Sequence, residues 1–89
     1  MALKLTPTER AAMGARLRAA RHTHDLTIRD VAAATGKSVT AAAAWETSGY
    51  LPGADARAAL ARLYKLPEAV LFAEYTARLD AERALLTAS

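Results

Sequence analysis

Alanine fills 24 of the 89 positions, against four glycines and three prolines. Ala has the highest intrinsic helix propensity and lets helices approach closely at no side-chain entropy cost. A chain built this way is predicted to be all-α. The same feature restricts its core, because Leu, Ile, Val and Phe together number only 17. The core must be assembled from a few large side chains spread over several short helices. At this length a single domain over residues 1–89 is expected, and a net charge of +3 is too small to hold the chain in a charge-expanded, disordered state.

Several chemistries are excluded by what is missing. Without cysteine there is no disulfide, thiol nucleophile or Cys-based zinc site. His22 and His24 are two residues apart, so on a helix they point to different sides and make no two-ligand metal face. Near a helix C-terminus they are suited to the helix dipole or to phosphate. Asp80 and Glu82 read as solvated helix charges, not a general acid/base pair. With no Gly-rich phosphate loop and no nucleophile–base pattern, neither an enzyme nor a cofactor or metal is expected. No apolar run approaches the roughly 20 residues that span a bilayer, and Met1–Leu5 carries no signal-peptide core. The expectation is a cytoplasmic protein with no membrane association. Charge is uneven: residues 1–37 hold seven basic and three acidic groups, residues 38–89 five and six. Any attraction for an anionic partner belongs to the N-terminal half.

Helix starts are clearly marked. Thr6-Pro7-Thr8-Glu9 offers a cap, a proline suited to the first helical position and a capping-box acid. An apolar stripe follows at Met13, Leu17 and Ala20, and the helix should end near His22–Asp25. Thr27 and Asp30 form a second capping box, spanned by Leu26 and Val31 as a hydrophobic staple. Gly36 stops that helix after about two turns. Ser38 caps a third helix from about Val39 to Thr47, and Ser48–Gly53 is a loop. A fourth helix runs from Asp55 to about Lys65. A fifth runs from Glu68 to about Ala88, with Pro67 at its first position and Glu74–Arg78 as an i,i+4 pair.

Two short helices joined by Gly36-Lys37-Ser38 form a helix-turn-helix: a short glycine-containing turn sets the helices at a steep angle. Ala32 is placed at the crossing. The second helix of such a pair is able to enter a DNA major groove. The stretch from Met13-Gly14 through Leu71 resembles the Cro/lambda-repressor, or xenobiotic-response-element type, helix-turn-helix family. The resemblance rests on Met13-Gly14, Leu17-Arg18, Arg21, Leu26-Thr27, Val31-Ala32, Gly36, Ser38, Trp45-Glu46, Pro52, Leu60-Ala61, Leu66 and Leu71. It implies a lambda-repressor-like helix-turn-helix core over 6–71; the C-terminal helix extends beyond the resemblance over 72–89, which makes a five-helix domain in all. The resemblance also implies an ion pair between Arg21 and Glu46 beneath the DNA-binding face.

The chain departs from the family's pattern where DNA is read. Ile28 stands where members often have Gln. The outward face of the third helix has Val39, Thr40, Ala43 and Ala44 where polar side chains are usual, and Ala42 replaces a large inward residue. The glycine after Trp-Glu-x is Ser48, with Gly49 one place later. Asn and Gln make the bidentate contact to adenine, and the chain has neither. The candidate DNA-binding residues are Thr27, Arg29, Lys37, Ser38, Val39, Thr40, Ala43, Ala44, Thr47 and Tyr50. Val39, Ala43 and the Thr40 methyl suit thymine methyl groups, and the helix N-termini, Arg29, Lys37 and the loop amides near Tyr50 suit phosphates. Trp45 belongs to the core, and Tyr50 serves either the phosphate or loop packing.

The last helix carries Leu71, Phe72, Tyr75, Leu79, Leu85 and Leu86 beside a small-residue stripe of Ala73, Ala77, Ala81, Ala84 and Ala88. This breadth of apolar surface invites a homodimer, with Leu71, Phe72, Tyr75, Leu79 and Leu86 at its interface. The function these features imply is a dimeric transcriptional repressor, bacterial or phage, on a palindromic double-stranded operator. The competing reading keeps the fold but turns the alanine face of the third helix toward a protein partner, as in an antitoxin or a binder of the transcription machinery.

Overall fold

Three side-chain caps punctuate the first half of the chain. The Thr6 hydroxyl accepts from the Glu9 amide at 3.1 Å while Glu9 Oε1 accepts from the Thr6 amide at 2.7 Å. Thr27 and Asp30 repeat the arrangement at 3.1 and 2.8 Å, and Ser38 Oγ accepts from the Ala41 amide at 3.0 Å. Each satisfies amides that a helix start leaves without partners. In the computed structural model, which describes residues 4–88 and the side chains of 4–87, six helices follow. They are α1 (Pro7–Thr23), α2 (Ile28–Thr35), α3 (Val39–Thr47), α4 (Ala54–Tyr64), α5 (Glu68–Leu71) and α6 (Ala73–Ala88). The reading of Met1–Leu5 falls outside the described residues for Met1–Leu3, as does the Ala88 side chain of the small-residue stripe. Among the described residues no helix is long and apolar enough to cross a membrane.

The buried core draws on α1 to α5, and Tyr75 of α6 packs against it. Met13 and Leu17 of α1, Val31 and Ala32 of α2, Ala42 and Trp45 of α3, Ala56, Leu60 and Tyr64 of α4, and Leu71 and Phe72 at the C-terminal side form one cluster. Ala32 and Ala42 are nearly inaccessible, which is how small side chains let α2, α3 and α1 approach. Gly14 serves the same end: a Cβ there would strike the carbonyl oxygen of Glu46. Gly36 ends α2 in the left-handed region (φ 68°), and the Lys37 amide donates back to the Ala32 carbonyl at 3.1 Å. That closure sets the turn into α3.

Ser48 remains right-handed (φ −104°), and Gly49 takes the left-handed position (φ 67°). The displaced glycine therefore keeps its structural task one residue later, packed on the backbone of Arg10.

Three expectations fail at the C-terminal end. The single fifth helix is two helices, broken at Phe72 (φ −116°, ψ 47°). Leu71 and Phe72, at this break, are both buried in the core. Pro67 is the extended residue before α5, not its first helical position. The i,i+4 pair is also absent. Glu74 accepts two bonds from Arg16 of α1 at 2.7 Å each, and Arg78 donates to Glu9 of α1 at 2.7 and 3.3 Å. Arg16 also donates to the Leu71 carbonyl. Since Arg16 meets Glu74 and Glu9 meets Arg78, α6 runs antiparallel to α1.

Candidate nucleic-acid interface

The outward side of the α2–turn–α3 unit is built on a buried ionic anchor. Arg21 Nε and Nη2 donate to the two carboxylate oxygens of Glu46 at 2.8 and 3.0 Å, and Nη1 donates to the Leu26 carbonyl at 3.1 Å. The Glu46 side chain is 5% exposed and that of Arg21 15%. Hydrogen bonding to Glu46 raises the Arg21 pKa further above its ordinary value. The pair ties the end of α1 to the end of α3 and, through Leu26, to the approach to α2. Arg18, one turn earlier on α1, reaches the same carboxylate at 3.5 Å but is half exposed.

On this frame the candidate residues take distinct positions. Thr27 and Ser38 are exposed. Their hydroxyl oxygens accept the cap bonds, which leaves each O–H able to donate to a phosphate. Thr47 is the reverse: its O–H donates to the Ala43 carbonyl at 3.0 Å, so toward a base it is an acceptor. Arg29 is exposed, with no ion pair among the described residues. Lys37 is exposed too, but its Nζ lies 2.9 Å from Asp55 Oδ2 at the start of α4. Val39 is 46% exposed and Thr40 is exposed, while Ala43 and Ala44 are half-buried. The outer face of α3 is thus a shallow surface of methyl groups rimmed by Lys37, Ser38, Thr40 and Thr47.

Tyr50, beyond the end of α3, is 62% exposed and lines an open hollow of about 340 Å³ with Lys4, Leu5, Arg10, Gly49 and Leu51. Lys4 and Arg10 bring two cations to this end of α3. Sequence reasoning did not single them out, since only the packing of the loop on the start of α1 unites them. Asp55 was missed for the same reason, being 18 residues from Lys37. Arg18 had a local signal in its i,i+3 spacing from Arg21, which places both on one helix face.

His24 turns inward, its Nε2–H donating to the Tyr64 carbonyl at 3.1 Å, whereas His22 is exposed. Among the described residues no group of acids and histidines is placed to hold a metal ion. Two proposed interface residues need correction: Leu71 and Phe72 are 0% and 1% exposed, so they hold the domain together and offer no surface to a second copy. Tyr75 and Leu79 are half-buried, and Leu86 is 73% exposed.

A glycine-ended helix, a three-residue turn and a second, outward-facing helix on a buried ionic anchor define a helix-turn-helix domain. The family model for the helix-turn-helix domain matches residues 12–74, and the chain belongs to that family, in keeping with its Cro/lambda-repressor-like motifs. The general class is that of DNA-binding regulators. No curated protein and no solved structure matches the chain. Lys4, Arg10 and most of α6 lie outside the matched segment.

Proposed function

We propose that the protein is a transcriptional repressor that binds a palindromic operator as a homodimer, α3 lying in the major groove. The observation that supports this most is the outer face of α3, where Val39 and Thr40 stand exposed beside Lys37 and Ser38. Phosphates are held by Arg29, Lys37, the hydroxyls of Thr27 and Ser38, and the Tyr50 loop. With no Asn or Gln, bases are read through methyl contacts from Val39, Thr40 and Ala43, through Thr47 as an acceptor, and through DNA shape. Ala44 permits close approach.

The second copy docks on α6. Its first half is secured to α1 by Glu74 and Arg78; its second half presents Leu85 and Leu86, 75% and 73% exposed, and Leu79 is half-buried beside them on the same helix. A dimer spaces two α3 helices about 34 Å apart, one turn of DNA. Footprinting on the DNA flanking the protein's own gene tests the reading: two protected half-sites one turn apart support it. Absence of protection at low salt favours the antitoxin-like or transcription-machinery reading, in which the alanines of α3 meet a protein.

A further inference from the structure

Among the described residues, the fold pairs Lys37 of the turn with an acid from another element and leaves Arg29 of α2 without one. The Lys37 Nζ sits 2.9 Å from Asp55 Oδ2. Asp55 is in the first turn of α4, and its carboxylate is 73% exposed against 39% for the Lys37 side chain. An acid so exposed gains little from burial or packing, and an exposed ion pair contributes little to stability. The larger consequence of its position is electrostatic: a fixed negative charge stands beside the cation that precedes the N-terminus of α3. A DNA phosphate approaching there meets a lysine already engaged and a carboxylate that repels it. Arg29, by contrast, carries no such partner among the described residues.

We propose that Asp55 limits the affinity of the protein for DNA by holding Lys37 in competition with the phosphate backbone. The inference rests on the DNA-binding reading above. Binding then proceeds by exchange: Lys37 leaves the Asp55 carboxylate for a phosphate oxygen, and the carboxylate is left to solvent. Asp55 is a tuning residue that touches no base, so its effect is uniform across sequences. Because the pair is exposed, it is easily exchanged, and removing the acid frees the lysine without disturbing the core.

The test is fluorescence anisotropy with a labelled mixed-sequence duplex, titrated with NaCl, on wild type, Asp55→Asn, Lys37→Ala and the double variant. Asn keeps the shape of Asp and removes its charge. Asp55→Asn is expected to bind about threefold or more tightly, with a salt slope steeper by up to about 0.9, the value of one further neutralised phosphate. Most of that gain is expected to vanish when Lys37 is also Ala. Wild-type binding with no gain in Asp55→Asn overturns the inference and leaves the DNA-binding reading intact. A gain that persists undiminished in the double variant overturns it as well, because Asp55 then acts by repulsion alone. Failure of both wild type and Asp55→Asn to bind at low salt overturns inference and reading together. Melting curves of the four proteins verify that each is folded.

Discussion

Arg21 and Glu46, 25 residues apart, meet in a two-pronged ion pair at 2.8 and 3.0 Å that locks α1 to the last turn of α3. The orientation of the outward helix depends on it, since the third guanidinium nitrogen also holds the Leu26 carbonyl ahead of α2.

Glu46→Ala is therefore expected to be destabilising. It leaves the Arg21 guanidinium, on a side chain 15% exposed, with only the Leu26 carbonyl for a partner. Breaking a fully buried pair from one side costs about 3–5 kcal/mol, and this part-buried pair is expected near the lower end. Urea unfolding of the variant measures this directly. An unchanged midpoint would show that the pair carries no structural weight.

Acid should loosen the attachment of α6. Hydrogen bonds from Arg16 hold the Glu74 carboxyl below its ordinary pKa of 4.5. The carboxylate is favoured in the folded state, so its contribution is complete above pH 4.5 and is lost as pH falls through the lower folded value. Urea midpoints of wild type and Glu74→Gln should differ most at neutral pH and converge below pH 4.5. A gap independent of pH would contradict the assignment.

Alkali acts on the core. Burial, reinforced by the Glu46 charge and opposed by Arg21, pushes the Tyr64 pKa from 10.0 up to about 12. The folded state favours the protonated phenol, so this contribution is intact below pH 10 and declines as pH rises toward about 12. Between those limits wild type should lose on the order of 2 kcal/mol more stability than Tyr64→Phe. Chemical denaturation across that range checks it, and parallel curves would refute it.

The local features of the fold were legible in the sequence. The capping pairs Thr6/Glu9 and Thr27/Asp30, the Ser38 cap and the Gly36 stop each act within four residues, so composition and spacing suffice to place α1, α2 and α3. The C-terminal end was not legible. A single apolar run suggested one helix, and no local glycine or proline marks the break at Phe72, where Leu71 and Phe72 are both buried in the core. Glu74 and Arg78 have the spacing of a helix pair, but such a pair contributes only about 0.3–0.5 kcal/mol. Two arginine–carboxylate contacts to α1 outweigh it once the helices are side by side. Of the candidate interface, the exposure of Val39, Thr40 and Arg29 followed from position on short helices. The engagement of Lys37 by Asp55 did not, because no local pattern links a turn to the start of a helix two elements later.

DNA binding as proposed requires the outer face of α3 to dock on the duplex. Thr40→Glu tests it most directly, because Thr40 is exposed and a carboxylate there repels phosphate without disturbing the core. In a salt-titrated anisotropy experiment on DNA flanking the protein's own gene, wild type is expected to bind, with log K falling linearly against log salt. Thr40→Glu is expected to lose this binding while its melting temperature is unchanged. Equal binding by the two proteins, or no wild-type binding at the lowest salt, would rule out docking through α3.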